Sequence, residues 1–200
     1  MSIGSRRKWI FLSLIALTGL SGAGPGQADD DFKIEEGFTS LLNGKDLTGW
    51  RVGRDVLDGK TASSDGRFEA KDGALLIIGA PKIEDINTVR EFNRDFVLRL
   101  EFRAAPMANS GLYLRGKQLQ VRDYATVGPY KELKRYNNGG WNAIEVKVKS
   151  RAGGAGALAE CSCNGEVLES SLPVPAKGGI GLQSETGRIE YRRIRIKEQP

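Results

Sequence analysis

Asn109-Ser110-Gly111-Leu112-Tyr113-Leu114-Arg115-Gly116-Lys117-Gln118-Leu119-Gln120-Val121-Arg122-Asp123-Tyr124 carries two short alternating runs in immediate succession. Leu112 and Leu114, then Leu119 and Val121, alternate with polar residues at a period of two, so each run reads as a half-buried strand. A tight Gly116-Lys117 link is expected to join them as a hairpin. The expected outward set is Tyr113 and Arg115 on the first strand and Gln118, Gln120 and Arg122 on the second. An aromatic ring, a guanidinium fork and amides on adjoining strands suit a polyhydroxylated ligand, which points toward carbohydrate.

The same period recurs along the chain. Phe96, Leu98, Leu100 and Phe102 alternate with Arg99, Glu101 and Arg103, and Ile144, Val146 and Val148 repeat the device. Lys71-Asp72-Gly73 separates Arg67–Ala70 from Ala74–Ile78, and Asn164-Gly165 separates Ala157–Cys163 from Glu166–Ser170; both are hairpin signals. Ile189 and Tyr191 keep one parity and Ile194 and Ile196 the other, which predicts a β-bulge near Arg192-Arg193. Short helical turns are expected at Pro81–Asn87 and Tyr130–Arg135, and loops at 125–140 and 151–156. Short strands, 26 glycines and no solenoid repeat give an all-β fold, a two-sheet β-sandwich or jelly roll.

The first 28 residues read as a signal peptide. Arg6-Arg7-Lys8 is a basic leader, Trp9 to Leu20 an apolar run too short to span a bilayer, and Gly26-Gln27-Ala28 a cleavage site. The mature chain is therefore expected to be exported, periplasmic or extracellular, with no membrane insertion after the signal is removed. Residues 29–37 read as an acidic, mobile leader and 38–198 as one domain. The chain has 30 Lys+Arg and 25 Asp+Glu; loss of Arg6, Arg7 and Lys8 leaves a balance of +2, which is no basis for nucleic-acid binding. Cys161 and Cys163 share one strand face at a spacing that strains a disulfide, so they read as thiols. With no histidine in the chain they make a poor zinc pair.

An ordered set of motifs carries a resemblance to a known family. Phe38-Thr39-Ser40-Leu41-Leu42-Asn43-Gly44-Lys45-Asp46-Leu47-Thr48-Gly49-Trp50 resembles the opening signature of the 3-keto-disaccharide hydrolase domain family. Asn109–Gly116, Leu119–Asp123, Gly140-Trp141-Asn142, Cys163-Asn164-Gly165, Gly179–Gln183 and Ile189–Ile196 follow in that family's order. The resemblance runs from Phe38 to about Lys197. It implies a concanavalin A-like jelly roll whose concave sheet faces a sugar, in proteins secreted by glycan-degrading bacteria. It also implies cleavage of glycosides already oxidised at carbon 3: a base takes the acidified proton on carbon 2, the oxygen on carbon 1 leaves, and water adds back. Many members carry a histidine just before the Asn-Gly hairpin, where this chain has Glu160-Cys161-Ser162-Cys163.

Glu101 and Asp123 are the candidate catalytic carboxylates, as acid–base groups or as ligands to a divalent metal, should one take part. Glu101 reads equally as one rung of a surface charge ladder, and Asp123 as a turn starter. Arg115 is the candidate oxygen clamp, or a structural cross-strand partner of Glu101. Gln120, Tyr113, Tyr124, Asn109, Gln183 and Arg103 complete the candidate substrate contacts, with Tyr113 and Tyr124 stacking on a sugar ring. Trp50 and Trp141 read as core aromatics. The expected partner is an oligosaccharide or glycoside; the alternative to an enzyme is a non-catalytic, lectin-like module with the same contacts.

Overall fold

The computed structural model describes Met1 and residues 32–80 and 84–199. The expected signal peptide, 1–28, lies outside the described residues apart from Met1. No helix occurs among the described residues, and therefore none that could cross a membrane. The strands, in chain order, begin with β1 (Thr39–Ser40), β2 (Trp50–Val52), β3 (Asp55–Val56), β4 (Phe68–Lys71) and β5 (Ala74–Ile78). Next come β6 (Ile86–Thr88), β7 (Phe96–Ala104), β8 (Asn109–Leu114), β9 (Lys117–Arg122) and β10 (Asn142–Ser150). The last four are β11 (Ala157–Cys163), β12 (Glu166–Val174), β13 (Ile180–Thr186) and β14 (Arg188–Glu198).

Two antiparallel sheets form the expected jelly-roll sandwich. An eight-stranded sheet runs β12-β11-β10-β7-β14-β5-β4, with β1 also on β14; a six-stranded sheet runs β3-β2-β6-β13-β8-β9. The period-two residues of both sheets meet in one core. Leu98, Leu100, Phe102, Val146 and Tyr191 come from one side and Leu112, Val121, Ile180 and Leu182 from the other. Each fully buried aliphatic side chain contributes about 1.5–3 kcal/mol through water exclusion. Tyr191 and Ser110 share a hydrogen bond of 2.8 Å between hydroxyls across the sandwich, and Ser110 also donates to the Gln183 carbonyl.

The bulge falls where parity placed it. Pairing of β14 with β7 jumps between Arg192 and Arg195, and Arg193 has φ 53°. Before the jump the free side of β14 pairs with β5; after it, β1 takes that side at Thr39↔Ile196. The Asp72-Gly73 and Asn164-Gly165 turns have φ of 50° and 76° and of 49° and 80°. Left-handed backbone at both central residues matches the twist of the paired strands.

Other expectations need correction. The first hairpin turns at Arg115-Gly116, not Gly116-Lys117: both have positive φ, 54° and 90°, and Lys117 already pairs with Leu114. Residues 81–83 lie outside the described residues, and the rest of the expected helical turn there contains strand β6; 130–135 is a run of turns. Residues of the expected leader make contacts with the domain. Glu35 accepts from Arg195 Nε at 2.5 Å and Arg99 Nη1 at 3.3 Å, and Phe32 lies against the Arg193 guanidinium at 4.4 Å. The Arg195 bonds, the largest effect, drop the Glu35 carboxyl to about 2. Cys161 and Cys163 are free thiols facing the core.

Candidate functional site

Strands β6, β13, β8 and β9 set their outward residues in rows. Cross-strand pairing aligns Asn87, Gly181, Tyr113 and Gln118 in one row and Gln183, Gly111 and Gln120 in the next. The two glycines make a floor. A Cβ on Gly111 would stand 2.3 Å from Gln118 Nε2, and one on Gly181 2.5 Å from Asn87 Oδ1. Gln118 therefore lies diagonally over Gly111 and donates to Gln183 Oε1 at 3.1 Å. Beyond it Glu185, on the parity of Gln183 and at a register shift between Ser184 and Thr186, accepts from Asn109 Nδ2 at 2.6 Å and Gln183 Nε2 at 3.4 Å.

Asp85, at the head of β6, is half-buried beside this comb of amides. Burial, and then the negative charge of Glu185, raise its carboxyl to about 6, while Arg67 pulls the other way. Burial also raises the Tyr113 phenol, with the charges of Asp85 and Glu185 adding to it. Such a phenol stays neutral and can donate. Neither the Asp85 carboxyl nor the Tyr113 hydroxyl has a hydrogen-bond partner among the described residues.

Of the expected site residues, Tyr113, Gln120, Gln183 and Asn109 share this face. Glu101 and Arg103 project from β7 on the outer face of the other sheet, so the sandwich separates them from Tyr113. Glu101 accepts from Arg192 Nε at 2.7 Å and Arg193 Nη1 at 2.9 Å, two arginines that the bulge delivers together. It borders a cavity of ≈ 350 Å³ with Arg99, Glu145, Asn164 and Arg195, but Arg99 and Arg195 are already bound by Glu145 and Glu35. Arg103 pairs with Glu190 and stacks on Trp141, which also carries Arg192 at 4.1 Å; Trp141 is half-buried outside the core, unlike Trp50.

Three placements overturn the outward reading. Arg115, 3% exposed, lies in the left-handed turn and is directed inward over Phe96, donating to the carbonyls of Arg94 and Pro175 rather than to Glu101. Asp123, 1% exposed, accepts from Met107 N at 3.0 Å, Ala125 N at 3.2 Å and Thr126 Oγ1 at 2.6 Å. It organises a chain corner. Tyr124, 1% exposed, donates to the Gln120 carbonyl at 2.6 Å and packs edge-on to Phe102, Tyr130 and Tyr136, leaving no ring face for a sugar.

Asp85 and Glu185 were not among the expected residues. Glu185 shares the parity of Gln183 and could have been read from it; Asp85 precedes a three-residue strand too short to show a period. No cluster of three or more His, Cys, Asp or Glu side chains suited to a metal occurs among the described residues. The donors among the described residues do not fit a resident metal, and no step is assigned to one.

A jelly-roll domain with an amide-lined sheet face is the class these features define. The chain belongs to the family of 3-keto-alpha-glucoside-1,2-lyase-like domains, which matches residues 37–197. It is thus a carbohydrate-related all-β domain. A proposed glycosyl hydrolase of known structure from Parabacteroides distasonis shares 21% identity, with 82% of this chain and 95% of that one covered and a TM-score of 0.58. A second from the same organism shares 19% identity over 81% and 99%, with a TM-score of 0.55. Both likenesses are of fold. No curated protein matches the chain.

Proposed function

We propose that this protein hydrolyses glycosidic bonds of 3-keto-glycosides by elimination and hydration on the outer face of the six-stranded sheet. The observation that carries the proposal is the Asp85 carboxyl, raised to about 6 and unpartnered among the described residues, beside an equally unpartnered phenol. A base of that strength is mostly ionised at neutral pH yet still binds a proton well. Asp85 takes the proton from carbon 2 of the 3-keto ring, and the Tyr113 hydroxyl donates to the enolate oxygen at carbon 3. Collapse of the enolate breaks the bond from carbon 1 to the leaving oxygen. A water protonates that oxygen, its hydroxide adds at carbon 1, and Asp85 returns its proton to carbon 2. Atoms balance as a hydrolysis. Gln118, Gln183 and Asn109 hold ring hydroxyls, while Glu185 orients the amides and keeps the Asp85 proton affinity high. The family's lyase description names the elimination half of this sequence, and so supports the reading.

A lectin-like module is the second reading. The bonds from Gln118 to Gln183 and from Asn109 to Glu185 make a binding floor that is complete without a base. Incubating the purified mature protein with a 3-keto-disaccharide, with and without divalent metal, separates the two. Free aglycone that disappears in Asp85→Asn supports the enzyme; saturable binding with no turnover in either condition establishes the module instead. We also propose that the protein acts after export, in the periplasm or outside the cell. Amino-terminal sequencing of the secreted chain, expected to begin at Asp29, tests this.

A further inference from the structure

The edge of the same face carries a cation that the proposed reaction does not use. Arg122 ends β9, opposite Asn109, on the outward parity of Gln118 and Gln120. Its side chain makes no hydrogen bond or ion pair with any described residue. Its Nε is buried without an acceptor, whereas its terminal nitrogens reach the surface. The side chain is held in place by the loop that follows. Gly128, at φ +67°, lies so close that a Cβ there would stand 1.8 Å from Arg122 Nη1. A half-buried guanidinium packed against the loop backbone, with its inner nitrogen unsatisfied and no carboxylate among the described residues bonded to it, is a prepared anion site. Most arginines on the opposite sheet's face are neutralised by Glu35, Glu101, Glu145 or Glu190.

Across the face, Glu185 and Arg122 lie on strands separated only by β8, so about two strand spacings, ~10 Å, divide the acidic end from the basic rim. Along β8, Tyr113 stands four residues from Asn109, the partner of Arg122, about 13 Å in an extended strand; that is more than one ring spans, so a second sugar residue is needed to reach the rim. We propose that Arg122 is a specificity site for a carboxylate on the second residue of the glycoside, so that the preferred substrates are acidic, uronic acid-type 3-keto-glycosides. The inference rests on the reading of this face as the substrate site. Asn109, opposite Arg122, adds an amide that accepts or donates to the same residue.

The test compares two matched disaccharides, one with a neutral second ring and one bearing a carboxylate at its carbon 6. Both are titrated calorimetrically into the mature protein and assayed as their 3-keto forms. Wild type is expected to favour the acidic sugar about tenfold in affinity and in kcat/KM, as one charge-assisted fork allows. That ratio should shrink as salt is raised and fall to about one in Arg122→Gln. Arg122→Lys should keep part of it, and thermal melts confirm that both variants fold. Equal use of the two sugars by wild type overturns the inference while leaving the hydrolase reading intact. Acid-selective binding without turnover of either sugar keeps the inference and removes the hydrolase. Binding of neither sugar defeats both.

Discussion

Asp85→Asn should make the protein more stable and inactive at the same time, with a pH dependence fixed by the proton affinity of this carboxyl. The group binds its proton more tightly in the folded state, at about 6 rather than the ordinary 3.8. Between those values the native state holds more protons than the unfolded chain, so wild-type stability falls as pH rises. The penalty is absent below about pH 4, grows through the interval, and is complete above about pH 6. Its ceiling is about 3 kcal/mol, from ~1.4 kcal/mol per pH unit. Water reaching a half-buried carboxyl lowers that to about 1–2 kcal/mol. Asparagine keeps the shape and removes the charge. The variant should therefore match wild type near pH 4 and exceed it by about 2–8 °C in Tm at pH 8, given ~2–4 °C per kcal/mol for a domain of this size. Calorimetric melts of both proteins at pH 4, 6 and 8 decide the matter. A variant less stable than wild type at pH 8, or a gap that does not change with pH, would refute the placement of Asp85 in a desolvated site facing Glu185.

Three further outcomes follow from the packing. Gly111→Ala puts a methyl 2.3 Å from Gln118 Nε2; the flexible amide gives way at a cost of about 1 kcal/mol or less, but sugar affinity measured by titration should drop about three- to tenfold as Gln118 leaves Gln183. Glu101→Gln removes the charge that Arg192 Nε and Arg193 Nη1 both bond to and should cost about 1–3 kcal/mol in urea unfolding, while leaving turnover unchanged because the residue lies on the other sheet. Burial pushes the Cys161 and Cys163 thiols up to about 12, so neither should react with a thiol reagent at pH 8 until the protein unfolds; rapid labelling of the native chain would contradict that.

What could be read along the chain depended on whether its cause was local. The Asp72-Gly73 and Asn164-Gly165 turns were legible because residues tolerant of left-handed backbone stood between alternating runs. The bulge at Arg192 was legible because a parity switch admits no other geometry. Arg115 was misplaced by one residue of turn register, which was enough to bring an outward side chain inside. Glu101 and Tyr113 looked like neighbours because their strands are adjacent in sequence. Yet β7 pairs with β10 and β14 while β8 pairs with β9 and β13, and these long-range pairings put the two side chains on opposite faces. Asp85 had no local signal. Its proton affinity arises first from burial under the assembled fold and then from Glu185, 100 positions away in the chain.

The central claim is that Asp85, on the six-stranded sheet, is the base for glycoside cleavage. The most direct measurement is the pH profile of kcat/KM on a 3-keto-disaccharide for wild type, Asp85→Asn and Glu101→Gln. The account predicts an ascending limb near pH 6 in wild type, a fall of at least about a hundredfold in Asp85→Asn, and a wild-type profile in Glu101→Gln. Activity that survives in Asp85→Asn and vanishes in a folded Glu101→Gln would contradict it and move the chemistry to the other face.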